Sequence, residues 1–527
     1  MTATRRGPLR ESGWVAGLIG WSLDNPLIVL VLSLGLGISG WLALAALPLD
    51  AVPDLTDTQV IVRTDFPGQS PDTVEDLVTY PLSSSLLGLP RTKDVRGASM
   101  FGTSFVYVVF EDGVDLYWAR SRVLEALSQI RDSLPAGATP RLGPDATGVG
   151  WVYQYALVDR TGNTDLAQLR SLQDWFLKLE LSGVDGVAEV ASVGGFVREY
   201  QILIDPNRLR SFDVSIARIR DAVRAASSEV GGRVLEQAET EFVIRSSGYV
   251  NEREDLEAVV VYAKDGTPVL LRDIARIIEG PALRRGVVEF NGVGETVAGI
   301  VVMRQGENAL RVIERVKQKL AALSRGLPEG VEIVPVYDRA PLIEGSVAYL
   351  REKLTQEALA VALVVALFLL HLRASLVAVI TLPLGVLGAF LIMSLQGVTA
   401  NIMSLGGIAI AIGAMVDAAI VLVDNAARRL SAAPGATPPQ RLRLIRAAAQ
   451  QVGPGLFFSL LIITVSFLPV FALTGESYRL FAPLAFTKTY AMAWAALLSI
   501  TLVPVLMRYL LGGRLRGEAA NPLNRVL

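Results

Sequence analysis

Two carboxylates seven residues apart, Asp417 and Asp424, stand in the apolar stretch from Asn401 to Asn425, NIMSLGGIAIAIGAMVDAAIVLVDN. About 20 such residues cross a bilayer as a helix. An Asp near the middle of one costs roughly 2.5 to 3.5 kcal/mol on insertion scales, so it faces a protein interior or a water path. Seven residues make almost two helical turns and advance about 10 Å, which puts both acids on one face. Gly406, Ala409 and Gly413 share that face, and small residues let a neighbouring helix approach. Lost hydration raises a carboxyl's proton affinity, whereas a nearby cation or water path lowers it. A group held between those influences loads and unloads protons. The alternative reading is a structural polar pair bonded to neighbouring helices, and Asp424 is near enough the helix end to sit in headgroup water.

Composition narrows the remaining chemistry. The chain has 527 residues, 51% hydrophobic and 19% charged, with a formal charge of −2. That balance fits several domains with a large membrane fraction and gives no basic surplus for nucleic acid. Cysteine is absent and His371 is the only histidine, which excludes disulfides, thiolate sites and a His-rich metal site. Methionine is the one soft ligand left, and Met393, Met403, Met415, Met492 and Met507 fall in apolar segments. A lone methionine there is packing more often than ligation. A Gly-rich nucleotide loop ending in Lys-Ser or Lys-Thr is also missing, so ATP is not the energy source.

The elements that must position these residues follow in chain order. Leu9 to Trp21, preceded by Arg5, Arg6 and Arg10, is a short amphipathic stretch expected on the cytoplasmic membrane surface. Asp24, Asn25 and Pro26 start a first span that runs to about residue 48. From Leu49 to Lys353 no segment is apolar enough to span; short strands alternate with amphipathic helices, an α+β pattern. Ser104 to Ala138, SFVYVVFEDGVDLYWARSRVLEALSQIRDSLPAGA, resembles Ala298 to Val331, AGIVVMRQGENALRVIERVKQKLAALSRGLPEGV. Such self-similarity predicts a duplicated split βαβ (ferredoxin-like) module. Gly231 to Gly248 belongs to neither copy. Glu111, Asp112 and Asp115 cluster at a turn, where a solvated loop is expected.

Further apolar segments at 355–372, 374–395, 402–424, 453–473 and 485–511 bring the expected spans to six. Alternation places the N-terminus, the turn at His371 and Arg373, the loop from Arg428 to Arg446 and the tail at Arg514 and Arg516 on one side. That side is cytoplasmic by the positive-inside rule. The long insertion then faces outward, toward a bacterial periplasm.

This layout resembles the N-terminal half of resistance-nodulation-division (RND) efflux permeases. LGGIAIAIGAMVDAAIVLVDNA at Leu405 to Ala426, LFFSLLIITVSFLPVF at Leu456 to Phe471 and RLFAPLAFTKTYAMA at Arg479 to Ala493 are similar to the heavy-metal branch. The GAMVDAAIV form is nearest the copper(I) and silver(I) exporters. The resemblance implies a cytoplasmic N-terminus (1–25), porter subdomain 1 at 49–147, porter subdomain 2 at 148–200 with 286–340, and a docking subdomain at 201–285. A cytoplasmic loop at 425–452 and a tail at 512–527 complete the division.

The same resemblance implies a proton relay at Asp417, with Asp424 where the branch usually has Glu. It places a lysine near these acids on a second-half helix absent from this chain. Lys488, at the external end of the sixth expected span, is the possible secondary member, against the plainer expectation of an interfacial lysine reaching for water. Met403, Met415, Met492 and Met507 fall on the branch's metal-passing positions, while Leu422 interrupts the ladder. Met100 and Met303 are expected core residues. Implied partners are a second half as a separate chain or a homodimer mate, a trimeric permease assembly, a periplasmic adaptor and an outer-membrane channel. The implied function is proton-driven export of heavy-metal cations from the inner membrane with no bound cofactor, not an enzyme. An organic-compound RND permease half and a non-transporting assembly subunit are the alternatives.

Overall fold

Alternating apolar positions in Gln59–Asp65 bury Val60, Val62 and Thr64 and leave Arg63 in solvent, the period of a half-buried strand. The computed structural model describes residues 13–511 apart from 238–239, 265, 285 and 370–371. Arg5, Arg6, Arg10, His371, Arg514 and Arg516 therefore lie outside the described residues.

Strand β1 (Gln59–Asp65) joins β2 (Thr92–Met100), β3 (Thr103–Phe110) and β4 (Thr139–Leu142) in an antiparallel sheet of order β2-β3-β1-β4. Helix α3 (Leu116–Ile130) starts where Asp115 accepts from the Trp118 amide, and covers the sheet with Leu116, Ala119, Val123, Ala126 and Leu127. A second sheet has order β10-β5-β9-β6, from β5 (Trp151–Asp159), β6 (Val187–Gly194), β9 (Val297–Met303) and β10 (Val331–Asp338). Its helix α4 (Ala309–Leu323) is capped by Asn308 and buries Ala309, Val312, Ile313, Val316 and Leu320. The two self-similar sequence segments thus fold as β3-α3 and β9-α4, the same places in two sheets of one strand order. Between β6 and β9 the chain makes a separate unit, in which β7 (Arg198–Ile204) pairs with β8 (Ala275–Pro281) and Ser228–Gln237 pairs with Thr240–Gly248.

Membrane helices flank these sheets. Helix α1 (Trp14–Asp24) covers the later part of the expected amphipathic stretch, whose residues 9–12 lie outside the described residues, and lies against the bundle. Gln450 donates to the Ala16 carbonyl at 2.9 Å, Arg508 to the Leu23 carbonyl at 2.8 Å, and Arg446 pairs with Asp24. Helix α2 (Pro26–Ala46) has Pro26 in its first turn as expected, but the Asn25 side chain donates back to the Trp21 carbonyl instead of capping forward. After α5 (Ala340–Leu369) come α6 (Leu372–Gln396), α7 (Ile402–Ser431), α8 (Pro438–Val465), α9 (Gly475–Ile500) and α10 (Leu502–Leu510).

Among the described residues, four helical segments are each long and apolar enough to cross a membrane: Pro26–Ala46, Ala374–Gln396, Ile402–Ser431 and Pro438–Ala472. Helices α9 and α10 make a fifth, bent by 49°. The break follows from Pro504, which has no N–H to give the Ile500 carbonyl. These account for up to five of the six expected spans among the described residues; the remaining one, 355–372, includes 370–371, which lie outside the described residues, and its helix α5 starts well before it, at Ala340.

Helix α7 packs on α9 through a glycine, though on a different side from the one its sequence suggests. A Cβ at Gly407 would strike the Leu484 carbonyl and the Thr487 hydroxyl, whereas one at Gly406 would meet nothing within 4 Å among the described residues. The close approach is therefore on the face turned away from the acids. Gly407→Val is expected to lower stability by about 1 to 3 kcal/mol through overpacking, with Gly406→Ala near neutral, read as the melting temperature of the purified protein in detergent.

Candidate functional site

Helix α7 is fixed at its N-terminal end before its acids are reached. The buried Asn401 side chain accepts from the Met403 and Ser404 amides, both at 3.0 Å, and Ser404 returns a bond to the Asn401 amide, closing a capping box. Just ahead, Ala400 donates to the Pro48 carbonyl and accepts from Asp50, and Ile402 donates to Ala51. The start of α7 is thereby stitched to the segment leaving α2.

From this end the two faces of α7 diverge. Gly407, Ile408, Ala411, Met415, Ala418, Ala419 and Leu422 are buried against the bundle. Ile402, Ile410, Gly413, Asp417 and Val421 are exposed. Asp417 therefore emerges on the outward face, and among the described residues no hydrogen bond or ion pair is seen for it. Asp424 is half-buried and pairs with Arg428 one turn on at 2.8 Å. The two acids share a face as expected, but Asp424 already has a cation beside it, near the helix end. Asn425 donates to the Ala448 carbonyl at 3.1 Å, tying this end of α7 to α8.

A third acid joins them. Glu357 of α5 places Oε1 3.9 Å from where a Cβ would stand on Gly413, one turn before Asp417. Its signal was legible: a single acid at the third position of the expected span 355–372. A Cβ on Gly413 would meet this carboxylate at ordinary van der Waals distance.

Lys488 is not where a water-seeking lysine belongs. Helix α9 begins at Gly475, so Lys488 lies near its middle and not at the external end of a span. Its side chain is 6% exposed, with Nζ 3.1 Å from the centre of the Phe467 ring, a cation–π contact. Since it is in α9, which packs against the buried face of α7, it is not brought onto the outward face that carries Asp417.

The methionines divide. Met393, Met415 and Met492 lie in one buried cluster, where the Met415 methyl closes on Gly385; Met507 belongs to another cluster and Met403 is half-buried outside both. Leu422 packs in the Met507 cluster. Met303 is a core residue as expected, at 6% exposed, but Met100 is 51% exposed at the end of β2. Among the described residues no group of three or more His, Cys, Asp or Glu could hold a metal ion.

The acidic turn is a contact and not only a solvated loop. Arg479, at the outer end of α9, donates to the Leu55 carbonyl at 2.8 Å and to Asp57 at 2.6 Å, and also reaches Asp112. It thereby ties α9 to two points of the first sheet domain. This residue opens the RLFAPLAFTKTYAMA motif, where its type alone gives no partner. Its guanidinium holds the Asp57 carboxyl below the ordinary carboxylate value. A carboxyl lowered in the folded state contributes stability above its unfolded pKa and loses it as pH falls through the folded one. Arg479→Ala is therefore expected to move the acid-unfolding midpoint to higher pH, measured by circular dichroism across an acid titration.

The description of the AcrB/AcrD/AcrF family matches residues 18–526. The chain belongs to the AcrB/AcrD/AcrF family. Within this family it is 54% identical over 517 residues to the cation efflux system protein CusA of Escherichia coli strain K12, covering 97% of this chain and 49% of that relative. It is 35% identical over 510 residues to the cobalt-zinc-cadmium resistance protein CzcA of Cupriavidus metallidurans, covering 94% and 48%. Its fold matches the crystal structure of a heavy metal efflux pump, crystal form I, with a TM-score of 0.81 at 32% identity, over 93% of this chain and 48% of that one. The heavy-metal resemblance read in the sequence is borne out. The higher identity to CusA than to the cobalt-zinc-cadmium protein agrees with the monovalent branch. The chain spans about half the length of the curated relatives it matches.

Proposed function

We propose that this chain is the N-terminal half of a proton-driven RND permease that exports heavy-metal cations, copper(I) or silver(I) in particular, from the bacterial inner membrane into a tripartite export path. It is a secondary transporter and not an enzyme. The observation that carries the reading is Asp417 on the outward face of α7, one turn from the Gly413 site that Glu357 approaches. A carboxylate on that face cannot rest in hydrocarbon at low cost, so the face meets water or another helix. Asp417 is the proton carrier, Asp424 the cytoplasmic-end acid held by Arg428, and Lys488 at most a secondary member.

The covering surface is a second half of the kind that completes the relatives' length, within a trimer that meets an adaptor and an outer-membrane channel. The division into six spans, two porter subdomains of split βαβ type at 49–147 and at 148–200 with 286–340, and a docking subdomain at 201–285 belongs to the same reading. Metal is cargo and not a resident cofactor. Thioether sulfur suits monovalent soft ions, and Met415 with Met492 are the pair best placed to pass one, since they share a cluster. Met403 and Met507 would be separate steps.

Two substitutions test the reading in a deletion strain carrying the gene on a plasmid. Asp417→Asn is expected to abolish copper and silver tolerance at unchanged membrane abundance; wild-type growth would favour the assembly-subunit alternative. Met415→Leu conserves volume and should cost less than about 1.5 kcal/mol of stability. It is expected to reduce tolerance of silver while leaving the melting temperature nearly unchanged. If dye or bile-salt tolerance falls instead of metal tolerance, the organic-substrate alternative gains.

A further inference from the structure

A buried ion pair stands where α7, the exit of α2 and the second sheet domain meet. Arg339 is the one residue between the end of β10 at Asp338 and the start of α5 at Ala340. Its amide donates to the Val152 carbonyl at 3.1 Å and its guanidinium to the Val149 carbonyl, so it belongs to the second sheet domain. Nη2 also reaches Asp50 at 2.8 Å, with the two side chains 6% and 16% exposed. Asp50 lies in the segment stitched by backbone bonds to Ala400, just ahead of α7. Its neighbours Leu49 and Ala51 reach into the second domain's core, and Leu49 also packs on the cluster holding Met415. The path from α7 to the outer domain is therefore short: Ala400, Asp50, Arg339, then Val149 and Val152.

Two features make this pair more than an anchor. Removing two charges from water costs about as much as their attraction returns, so a buried pair contributes little net stability and its effect is mainly on position. The pair is also incompletely engaged. Asp50 Oδ1 takes both the Ala51 amide, at 2.6 Å, and Arg339, while the buried Arg339 Nε has no partner among the described residues. A small rotation would place Nε on the carboxylate as well and make the contact bidentate, the stronger geometry for a guanidinium. Burial pushes the Asp50 carboxyl up from its ordinary value, with the nearby Asp54 adding to this, against the opposing pull of Arg339 and the Ala51 amide.

We propose that Arg339 and Asp50 form the positioning joint through which displacement of α7 moves the second sheet domain, with monodentate and bidentate contact as its two settings. The inference rests on the proton-driven reading above, because protonation of Asp417 is what would displace α7. Arg339 touches neither cargo nor proton carrier; it acts by holding one moving part against another.

The absence of cysteine allows spin labels to be placed without background. Leu179→Cys in the second sheet domain and Leu395→Cys at the outer end of α6 are both exposed, at 59% and 79%. Their separation is measured by pulsed electron resonance on the full chain in lipid nanodiscs, in mildly alkaline and mildly acidic buffer. The wild type is expected to shift between the two, and Asp417→Asn to abolish the shift. Asp50→Asn, which retains the oxygen that accepts from Ala51, and Arg339→Met are expected to lose the shift while keeping the wild-type circular dichroism spectrum. Arg339→Lys should restore part of it. If Arg339→Met does not fold, Asp50→Asn and Arg339→Lys carry the comparison. A wild-type shift that Asp50→Asn leaves intact overturns the joint and spares the proton reading; a wild type that does not shift overturns both.

Discussion

A carboxylate near the middle of a membrane-spanning helix is costly unless water, a cation or a proton meets it, and α7 accommodates Asp417 by having two unlike faces. One face is packed: Gly407 admits the α9 backbone, Met415 fills the space beside Gly385, and Leu422 closes on the inner bundle. The other carries Gly413, Asp417 and Val421 outward. The division of labour is physical. The packed face fixes where α7 stands, so the proton exchange proposed for the acid on the opposite face would leave untouched a core that has no room to adjust.

The end of the bundle nearest the sheets is joined to both sheet domains by arginines as well as by apolar packing. Arg479 holds α9 to Asp57 and Asp112 of the first domain, and Arg339 holds the second domain to Asp50 beside the start of α7. Charge-assisted bonds suit such places because they are directional, fixing register between parts that need not share a continuous core. The two contacts differ in burial, the Arg339 pair being nearly dry and the Arg479 carboxylates a third or more exposed.

Much of this was legible in the sequence because period and cost are local properties. The strand and helix of each repeat, the spans and the two acids of α7 follow from apolar spacing and from the expense of charge in lipid. Partners that lie far apart in the chain were not legible. Asp112 reads as a solvated turn until Arg479, 367 residues later, is folded against it. Lys488 reads as interfacial because the apolar run begins at Ala485, whereas the helix begins at Gly475 and buries it. Gly406 and Gly407 are adjacent and alike in type, so only the packing of α9 shows which one admits a neighbour. Glu357 was visible as an acid in an apolar segment, but its approach to Gly413 needed the crossing of α5 and α7.

The central claim is that Asp417 changes protonation inside the bilayer. Infrared difference spectroscopy of the full chain in lipid, between alkaline and acidic buffer, measures this directly through the carboxylic acid C=O stretch, with Asp417→Asn giving the assignment. The account predicts a protonated-carboxyl band that grows on acidification and is absent from Asp417→Asn. A difference spectrum unaltered by the substitution would contradict it.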